Sequence, residues 1–309
     1  MVFACVVGVR RALFRAGVFR SYRLPVPVIV IGNITAGGTG KTPLVLWVCD
    51  FLRERGYEPG IVSRGYGGRG ETQVVQGSSA PEITGDEPVL LAQRSRCPVW
   101  IGRNRVAAAR ALIAANPACN VIVSDDGLQH YGLQRDVEIA VLDGSRTTGN
   151  GLPLPAGPLR ESTARLAEVD AVVVTGDPSS LPASAKTFAM RLDGNVFRNL
   201  LNPAFHQEAG AFHGKQTHAI AGIGNPARFF DHLQRLGLSF AAHAFPDHHA
   251  YSQADLEFGD AEAIIMTEKD AIKCIRFARE NHWVLPVDAQ VDATLGTLIL
   301  DKMKTWNGS

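Results

Sequence analysis

The chain has 309 residues, of which 46% are hydrophobic and 20% are charged, a composition that fits a globular protein of one large or two modest domains. Its net charge at pH 7 is only +1, so nothing in the overall charge indicates nucleic acid, and we predict neither a nucleic-acid partner nor an obligate protein partner. The five cysteines are scattered without a Cys-x-x-Cys pair, which argues against a disulfide framework and against a zinc site.

Residues 1–23 form a basic, apolar segment that we predict to be a helix. From the N-terminus to Cys49 the sequence has six basic residues and no acidic one. The run is too short to span a bilayer. We predict that it either lies in a membrane interface, with Arg11 and Arg15 toward anionic head groups, or packs on its own domain. The apolar residues that would share one broad helix face are Phe3, Val6, Val9, Leu13 and Phe14.

Residues 24–186 are predicted to form a P-loop nucleotide-binding core. Apolar, β-rich runs (VPVIVIGN, PGIVSRG, NVIVSDDG, DVEIAVLDG and VDAVVVTG) alternate with helical stretches such as KTPLVLWVCDFLRERGY and RNRVAAARALIAANP. Strands without polar alternation are typical of a parallel sheet that is covered on both faces. We therefore predict an α/β fold of the P-loop NTPase type, with a doubly wound, mostly parallel sheet.

The pattern changes after the core. Residues 187–205 show period-two alternation around Asp193-Gly194, which predicts a hairpin and thus a two-stranded β linker. Residues 206–309 again combine apolar runs with helical stretches. They are predicted to form a second, smaller α/β domain.

A glycine-rich loop, IGNITAGGTGKTP, joins the first predicted strand to the first helix of the core. Such a loop can bind phosphates because the backbone N–H groups of its glycines point toward phosphate oxygens. We expect Lys41 to reach the β- and γ-phosphates of ATP and Thr42 to place its hydroxyl on Mg²⁺. Thr35 stands where the usual pattern has glycine, but the strand-loop-helix setting still favours a nucleotide site. The predicted nucleotide-binding residues are Thr35, Gly37, Gly38, Thr39, Gly40, Lys41 and Thr42.

Two adjacent acids, Asp125 and Asp126, follow the apolar run VIVS. This is where a metal-holding carboxylate belongs in a P-loop protein, so we predict that at least one of them holds Mg²⁺ together with Thr42. Binding of ATP and Mg²⁺ is common to several classes of protein. A P-loop switch ATPase and a small-molecule kinase or ligase therefore both remain open at this point.

Eight short segments occur in order across most of the chain: NITAGGTGKTP, SRGYGG, TGDEP, SDDGLQH, GNGLPLPAGPLRES, AGIGNPARFF, FPDHHAY and MTEKDAIKC. Together they resemble the tetraacyldisaccharide 4′-kinase family of lipid A biosynthesis. The resemblance implies ATP-dependent phosphorylation of the 4′-hydroxyl of an acylated glucosamine disaccharide 1-phosphate, which gives lipid IVA. It also implies a monotopic enzyme, bound through its N-terminal helix to the cytoplasmic face of a Gram-negative inner membrane. Family members usually have a longer segment before SYRLPVP, so we expect a smaller apolar surface for insertion here.

The resemblance also implies roles for single residues. Asp86 of GDEP is similar to the family's catalytic carboxylate, and His248 of PDHH is similar to its partner. His248 would orient Asp86, and Asp86 would accept the proton of the acceptor hydroxyl. The other residues implied to act in catalysis are Lys41, Asp126 and Glu161, and the residue implied to bind substrate is His130 of the QH pair.

Each of these residues also has a plainer interpretation. Without the resemblance, Asp86 would be a helix cap before PVLLAQR. Glu161 would form a surface pair with Arg160, of little energetic weight. His130 and His248 would be polar residues of loops.

Overall fold

The fold is taken from a computed structural model that describes residues 2–68, 70–176 and 186–306, with side chains from residue 6 onward. The chain divides into two compact units, residues 1–192 with 289–309 and residues 193–288. The helices are α1 (Val2–Arg15), α2 (Lys41–Arg53), α3 (Pro81–Thr84), α4 (Asp86–Arg94), α5 (Arg105–Ala115), α6 (Pro226–Arg235), α7 (Glu268–Cys274) and α8 (Ala293–Lys304). The strands are β1 (Val28–Gly32), β2 (Pro59–Ser63), β3 (Gln73–Val75), β4 (Val99–Ile101), β5 (Val121–Asp125), β6 (Val137–Asp143), β7 (Ala171–Thr175), β8 (Thr187–Asp193), β9 (Val196–Asn199), β10 (His206–Glu208), β11 (Thr217–Ala221), β12 (Ala241–Ala244), β13 (Ala263–Thr267), β14 (His282–Leu285) and β15 (Asp288–Val291).

The first unit is built around a nine-stranded sheet in the order β15-β8-β7-β6-β1-β5-β2-β4-β3. Neighbouring strands from β8 to β4 pair in parallel, and β3 pairs antiparallel with β4. Strands β1, β2, β5 and β7 are buried along their whole length, as expected for strands covered on both faces. The predicted α/β class and its mostly parallel sheet are confirmed.

Helix α2 begins at Lys41, directly after the glycine loop, as predicted. Gly40 precedes it with a φ of 92°, a left-handed conformation that glycine adopts without steric cost. The helix buries one apolar face against the sheet, formed by Leu44, Val45, Val48 and Leu52. Because only the loop of residues 33–40 separates the two elements, the first turn of α2 follows the carboxyl end of β1.

The second unit contains a six-stranded sheet in the order β10-β9-β14-β13-β11-β12. Strands β14, β13, β11 and β12 are parallel to one another, whereas β9 pairs antiparallel with both β10 and β14. A core of buried apolar side chains that includes Phe197, Leu233 and Ile265 packs on this sheet. The unit is thus α/β in its own right.

The predicted hairpin at Asp193-Gly194 is wrong. Strand β8 pairs with β7 in the first sheet, whereas β9 pairs with β10 and β14 in the second. Gly194 is not among the glycines with positive φ, although the usual two-residue turn with glycine in second place needs positive φ there. The pairing that β8 finds beside β7 outweighs the local turn preference.

The end of the chain also differs from the predicted division. Residues from Ala289 onward belong to the first unit, although the sequence placed them in a domain of residues 206–309. Strand β15 lies next to β8 in the first sheet, and α8 buries Leu295, Ile299 and Met303. The two strands that connect the units are therefore β8 and β15.

Helix α1 contacts the first unit through one face. Arg11 and Arg15 form ion pairs with Glu168, and the ring of Phe14 lies 5.9 Å from that of Tyr131. Arg11 therefore faces Glu168 of its own unit, whereas the membrane-interface alternative predicted it toward anionic head groups. The predicted apolar face is divided, because Leu13 and Phe14 are half-buried whereas Val6 and Val9 are exposed. Phe3, the fifth residue of that face, has its side chain outside the described part. None of the described helices is long and apolar enough to cross a membrane.

Candidate active site

The main chain of the glycine loop forms hydrogen bonds with two other segments. The N–H of Ala36 donates to the carbonyl of Pro158 at 2.8 Å, and the hydroxyl of Thr175 donates to the carbonyl of Thr39 at 2.8 Å. Gly37 has a φ of 102°, which few other residues adopt readily. A Cβ at Gly40 would lie 2.8 Å from the Thr175 hydroxyl, so only glycine fits there.

Thr35 shows why the usual glycine is not required at the start of this loop. It forms an isolated antiparallel bridge with Leu159 and is not among the residues with positive φ. Its backbone is therefore in an ordinary conformation that a threonine adopts without strain. The segment around Leu159 belongs to the PAGPLRES motif, whose link to the glycine loop the sequence did not reveal.

A cavity of about 330 Å³ adjoins the loop. Its lining includes the backbone-rich stretch from Thr35 to Thr39, together with Asp143, Arg146 and Thr147 from the end of β6 and the turn that follows. The cavity thus places the guanidinium of Arg146 and the carboxylate of Asp143 beside the glycine loop, and the guanidinium can form strong hydrogen bonds with an anionic ligand.

The two acids lie where the sequence predicted them, at the carboxyl end of β5. Asp125 is in register with Ile31 of β1, one residue before the loop-bearing end of that strand. Asp126 has a φ of 48° and lies 3.6 Å from the ammonium group of Lys41. Arg160 donates to both carboxylate oxygens of Asp126, at 3.1 and 3.2 Å. The acidic pair, the lysine predicted to bind phosphate and an unpredicted arginine are therefore assembled in one place.

The environments of the two acids separate their pKa values. Burial, together with the negative charges of Glu87 and Asp126, raises the pKa of Asp125 to about 6. Burial also opposes ionisation of Asp126, but Lys41 and Arg160 outweigh it and lower the pKa of Asp126 to about 2. Asp126 is thus ionised throughout the neutral range, whereas Asp125 titrates just below it.

We expect Asp125→Asn to stabilise the ligand-free protein at about pH 7.5 by a few degrees. Because the pKa of Asp125 is raised above its unfolded value of about 3.9, the residue stabilises the fold below that pH, and this contribution is lost as the pH rises through about 6. Asparagine removes the buried charge but can still accept the hydrogen bond that Ser63 donates at 2.9 Å.

Thermal unfolding at several pH values from about 4 to 8 tests this expectation. The Asn variant should show a flatter dependence of unfolding temperature on pH in this range than the wild type. Asp301→Asn, at an exposed acid of α8, is a suitable control that should leave the profile unchanged. A variant that melts earlier than the wild type at pH 7.5 would show that the charge of Asp125 is well compensated in the fold.

Glu161 is buried in the first unit and does not form the surface pair that was its plainer interpretation. Only 5% of its surface is exposed. Gln129 and Tyr131 each donate a hydrogen bond to its carboxylate. Gln129 also donates to the carbonyl of Asn33 at 3.0 Å, so Glu161 is linked through Gln129 to the start of the glycine loop. Gln129 and Tyr131 were missed from the sequence because polar residues in a turn carry no signal of burial.

His130 lies between these two residues in the chain and is half-buried. Burial, followed by the positive charges of Arg105 and Arg64, lowers the pKa of His130 to about 3. Its imidazole is therefore neutral near pH 7 and can either donate or accept a hydrogen bond. The buried Arg105 donates to the main-chain oxygen of Asp125 at 3.1 Å. It was predicted only as part of the helical stretch RNRVAAARALIAANP, with no role in the site.

Asp86 is the first residue of α4 and is buried. Its carboxylate accepts a hydrogen bond from the N–H of Glu87 at 2.8 Å, and Gly85 rather than Asp86 precedes the helix. The cap interpretation is therefore not supported. A Cβ at Gly85 would lie 2.5 Å from the carbonyl of Tyr66, so the SRGYGG and TGDEP motifs pack against each other.

His248 belongs to the second unit. Its φ is 59°, and its N–H donates to the carbonyl of Gly222 at 3.2 Å. His249 is fixed separately, because its ring stacks on Phe245 at 4.7 Å and its Nε2 lies 3.3 Å from Asp255. The AGIGNP and PDHH motifs are therefore joined within this unit.

Comparison with known proteins shows that almost the whole chain is similar to proteins of one family. The family model described as tetraacyldisaccharide-1-P 4′-kinase matches residues 1–304. Proteins named tetraacyldisaccharide 4′-kinase from Methylobacillus flagellatus and Aromatoleum aromaticum are 50% and 52% identical to the chain, over 98% of its length and over 89% and 91% of theirs. The crystal structure of LpxK from Aquifex aeolicus in complex with ATP is 28% identical and superposes with a TM-score of 0.82, covering 98% of this chain and 96% of that one.

Proposed function

The chain belongs to the tetraacyldisaccharide-1-P 4′-kinase family, and from this premise we propose which of its residues carry out the reaction. It is an ATP-dependent kinase of lipid A biosynthesis that phosphorylates the 4′-hydroxyl of tetraacyldisaccharide 1-phosphate. The observation that carries the residue assignment is the placement of Lys41 at the start of α2, beside the acid pair that ends β5.

ATP binds through its phosphates to the loop from Thr35 to Thr42. The backbone N–H groups of this loop and the first turn of α2 provide donors for phosphate oxygens, and the helix dipole favours their negative charge. Lys41 is only 10% exposed at its side chain, so its charge acts at short range in a setting of low dielectric. Its ion pair with Asp126 holds the ammonium group beside the loop before ATP arrives.

The residues present fit a magnesium ion. Within the described chain, no protein group forms a hydrogen bond with the buried Oδ1 of Asp125, and such an atom normally has a partner. Mg²⁺ commonly takes one or two carboxylates and completes its shell with water and substrate phosphates. Thr42, Asp125 and Asp126 would hold the ion. When bound, Mg²⁺ would neutralise charge on the β- and γ-phosphate oxygens.

Asp86 accepts the proton of the 4′-hydroxyl, and His248 is its partner. A sugar hydroxyl is a poor nucleophile near neutral pH, and a carboxylate within hydrogen-bond reach promotes its attack on the γ-phosphorus. A carboxylate is a weak base, but phosphoryl transfer depends mainly on positioning and charge neutralisation. The pairing of Asp86 with His248 rests on the resemblance, because the two residues belong to different units of the chain.

His130 and Glu161 have supporting roles. The neutral imidazole of His130 can hydrogen-bond a hydroxyl or phosphate oxygen of the acceptor, which supports its assignment to substrate binding. Glu161 was predicted to be catalytic. Its contacts with Gln129 and Tyr131 favour a positioning role, in which it fixes the chain ahead of the glycine loop.

The enzyme is peripheral to the membrane and binds through α1. Residues that are exposed on and just after this helix include Val6, Val9, Val18 and Phe19. Exposed apolar residues beside arginines suit an interface with anionic lipids. The acceptor is itself an anionic lipid, so we place the enzyme at the cytoplasmic face of the inner membrane, where ATP and the acceptor are both present.

We expect Val6→Asp/Val9→Asp to bind anionic liposomes about tenfold more weakly than the wild type, because two apolar side chains lose their burial in the interface. Deletion of residues 1–20 should cause a similar loss and slow turnover on the lipid substrate. ATP affinity should not change. Co-sedimentation with vesicles measures the effect, with Val74→Asp, at an exposed valine of β3, as the matched control. Unchanged partitioning of the α1 variants would rule out this anchor.

A further inference from the structure

The segment MTEKDAIKC forms part of a buried ionic cluster in the second unit that the steps above do not use. Asp270 is fully buried, and its Oδ1 lies 3.1 Å from the ammonium group of Lys273. The hydroxyl of Thr267 donates to its Oδ2 at 2.7 Å. The aromatic ring of Tyr251 lies 5.1 Å from the Lys273 ammonium. A buried ion pair of this kind often adds little to the stability of a fold. We therefore look for its role in the groups that it contacts.

Asp270 also contacts the main chain of another motif. The N–H of Gly222, the first residue after β11, donates to Oδ2 of Asp270 at 3.2 Å. A Cβ at Gly222 would lie 2.8 Å from the Tyr251 hydroxyl and 3.2 Å from the Asp270 carboxylate. Because any larger residue would collide with these groups, only glycine allows this close approach.

Gly222 connects Asp270 to His248. While its N–H donates to Asp270, its carbonyl accepts the hydrogen bond from the N–H of His248 at 3.2 Å. His248 has a φ of 59°, a left-handed conformation that few non-glycine residues adopt. Such a conformation persists only where the surrounding structure holds it. The main-chain bond to Gly222 is a contact that can hold it.

We propose that Asp270 is a positioning residue for His248, acting through the two hydrogen bonds of Gly222. Lys273 and Thr267 fix the carboxylate, the carboxylate fixes the peptide at Gly222, and Gly222 fixes the backbone of His248. The inference rests on the proposed role of His248 in phosphoryl transfer. It gives a function to the MTEKDAIKC motif, which lies about twenty residues from His248 in the sequence.

The test compares Asp270→Asn in two backgrounds, the wild type and His248→Ala. Asparagine has no charge to pair with the ammonium group of Lys273, and its amide accepts the hydrogen bond from the N–H of Gly222 less strongly than a carboxylate. We expect kcat on the lipid acceptor to fall about 10- to 100-fold in the wild-type background, with KM for ATP within about twofold. In the His248→Ala background the same change should cause no further fall in kcat. The effects of two substitutions are not additive when one residue acts only through the other.

A second readout does not depend on catalysis. Amide hydrogen exchange across residues 222–225 and 245–251 should be faster in Asp270→Asn than in the wild type, because the bonds of Gly222 are weakened. Asp260→Asn is the matched control, since Asp260 also pairs with a histidine, His218, at 3.1 Å but is largely exposed. It should change neither exchange in these segments nor kcat.

Asp270→Asn removes the carboxylate charge that lies 3.1 Å from the buried ammonium group of Lys273, and this loss can prevent folding. In that case Asp270→Leu/Lys273→Met, which removes both charges, carries the test with the same expected fall in kcat. Equal losses from the Asp270 change in both backgrounds, or an unchanged kcat, would overturn the proposal. A normal kcat for His248→Ala alone would overturn the assigned role of His248 itself, and the positioning role with it.

Discussion

Replacing Lys41 with alanine should lower the rate of phosphate transfer about 100- to 1,000-fold or more, the loss seen when one preorganised donor to a transition-state oxygen is removed. Lys41 is the cation at the start of α2, and its ammonium lies 3.6 Å from Asp126. Without it, the β- and γ-phosphates lose a charge that is little screened by water. Affinity for ATP should also fall, because the lysine contacts the ground state as well as the transition state.

Steady-state kinetics on the lipid acceptor and equilibrium binding of ATP measure these two losses separately. Lys302→Ala is the matched control, since Lys302 also pairs with an aspartate, Asp170 at 2.7 Å, but on the exposed side of α8. The fold should survive the Lys41 change, because Asp126 keeps its hydrogen bonds from Arg160. A normal kcat for Lys41→Ala would contradict the assignment of phosphate binding to this loop.

The second large effect is expected at Asp86. Asp86→Asn should lower kcat about 100- to 10,000-fold, the contribution of a positioned general base, while the Kd for ATP changes by no more than about twofold. Asparagine has nearly the same shape and can still accept the hydrogen bond that the Glu87 N–H donates at 2.8 Å. It cannot accept the proton of the 4′-hydroxyl, so the chemical step should be lost. The start of α4 should stay intact, because the hydrogen bond from Glu87 is retained.

Separate measurements of kcat and of the Kd for ATP distinguish a chemical role for Asp86 from structural damage. Glu82→Gln serves as the control because Glu82 is an exposed acid in the first turn of the preceding helix, α3. Its kcat should equal that of the wild type. Comparable losses of turnover and of ATP affinity in Asp86→Asn would indicate that the carboxylate supports the fold and does not take the proton.

The central part of the first unit could be predicted from sequence because two regularities determine it. Uniformly apolar, β-rich runs form strands buried on both faces, and β1, β5 and β7 follow that pattern. The carboxyl ends of parallel strands meet at one edge of the sheet, which brings Asp125 and Asp126 to the glycine loop. The sequence therefore predicts the acid pair beside the glycine loop that ends at Lys41.

What the sequence did not reveal depends on contacts between distant segments. The bridge between Thr35 and Leu159 and the burial of Glu161 under Tyr131 join residues that are far apart in the chain. No local pattern encodes such contacts. The hairpin predicted at Asp193-Gly194 failed for the same reason, since β8 pairs with β7 and tertiary pairing outweighs turn propensity.

The return of the chain to the first unit was missed for a related reason. Residues from Ala289 onward resemble a continuation of the second domain in composition, but β15 joins the sheet of the first unit next to β8. Which of two sheets a short strand joins depends on the partner edge that is available. That edge, β8, is defined only once the core sheet has formed.

Transfer of the radiolabelled γ-phosphate of ATP to tetraacyldisaccharide 1-phosphate in mixed micelles tests most directly whether the glycine loop delivers phosphate to the lipid. Lys41→Ala and Asp86→Ala serve as inactive controls beside the wild-type protein. We predict one labelled phosphate on the 4′-position of the disaccharide for each ATP consumed by the wild type, and almost none with either variant. Consumption of ATP by the wild type without a labelled lipid, or labelling that Lys41→Ala leaves intact, would contradict it.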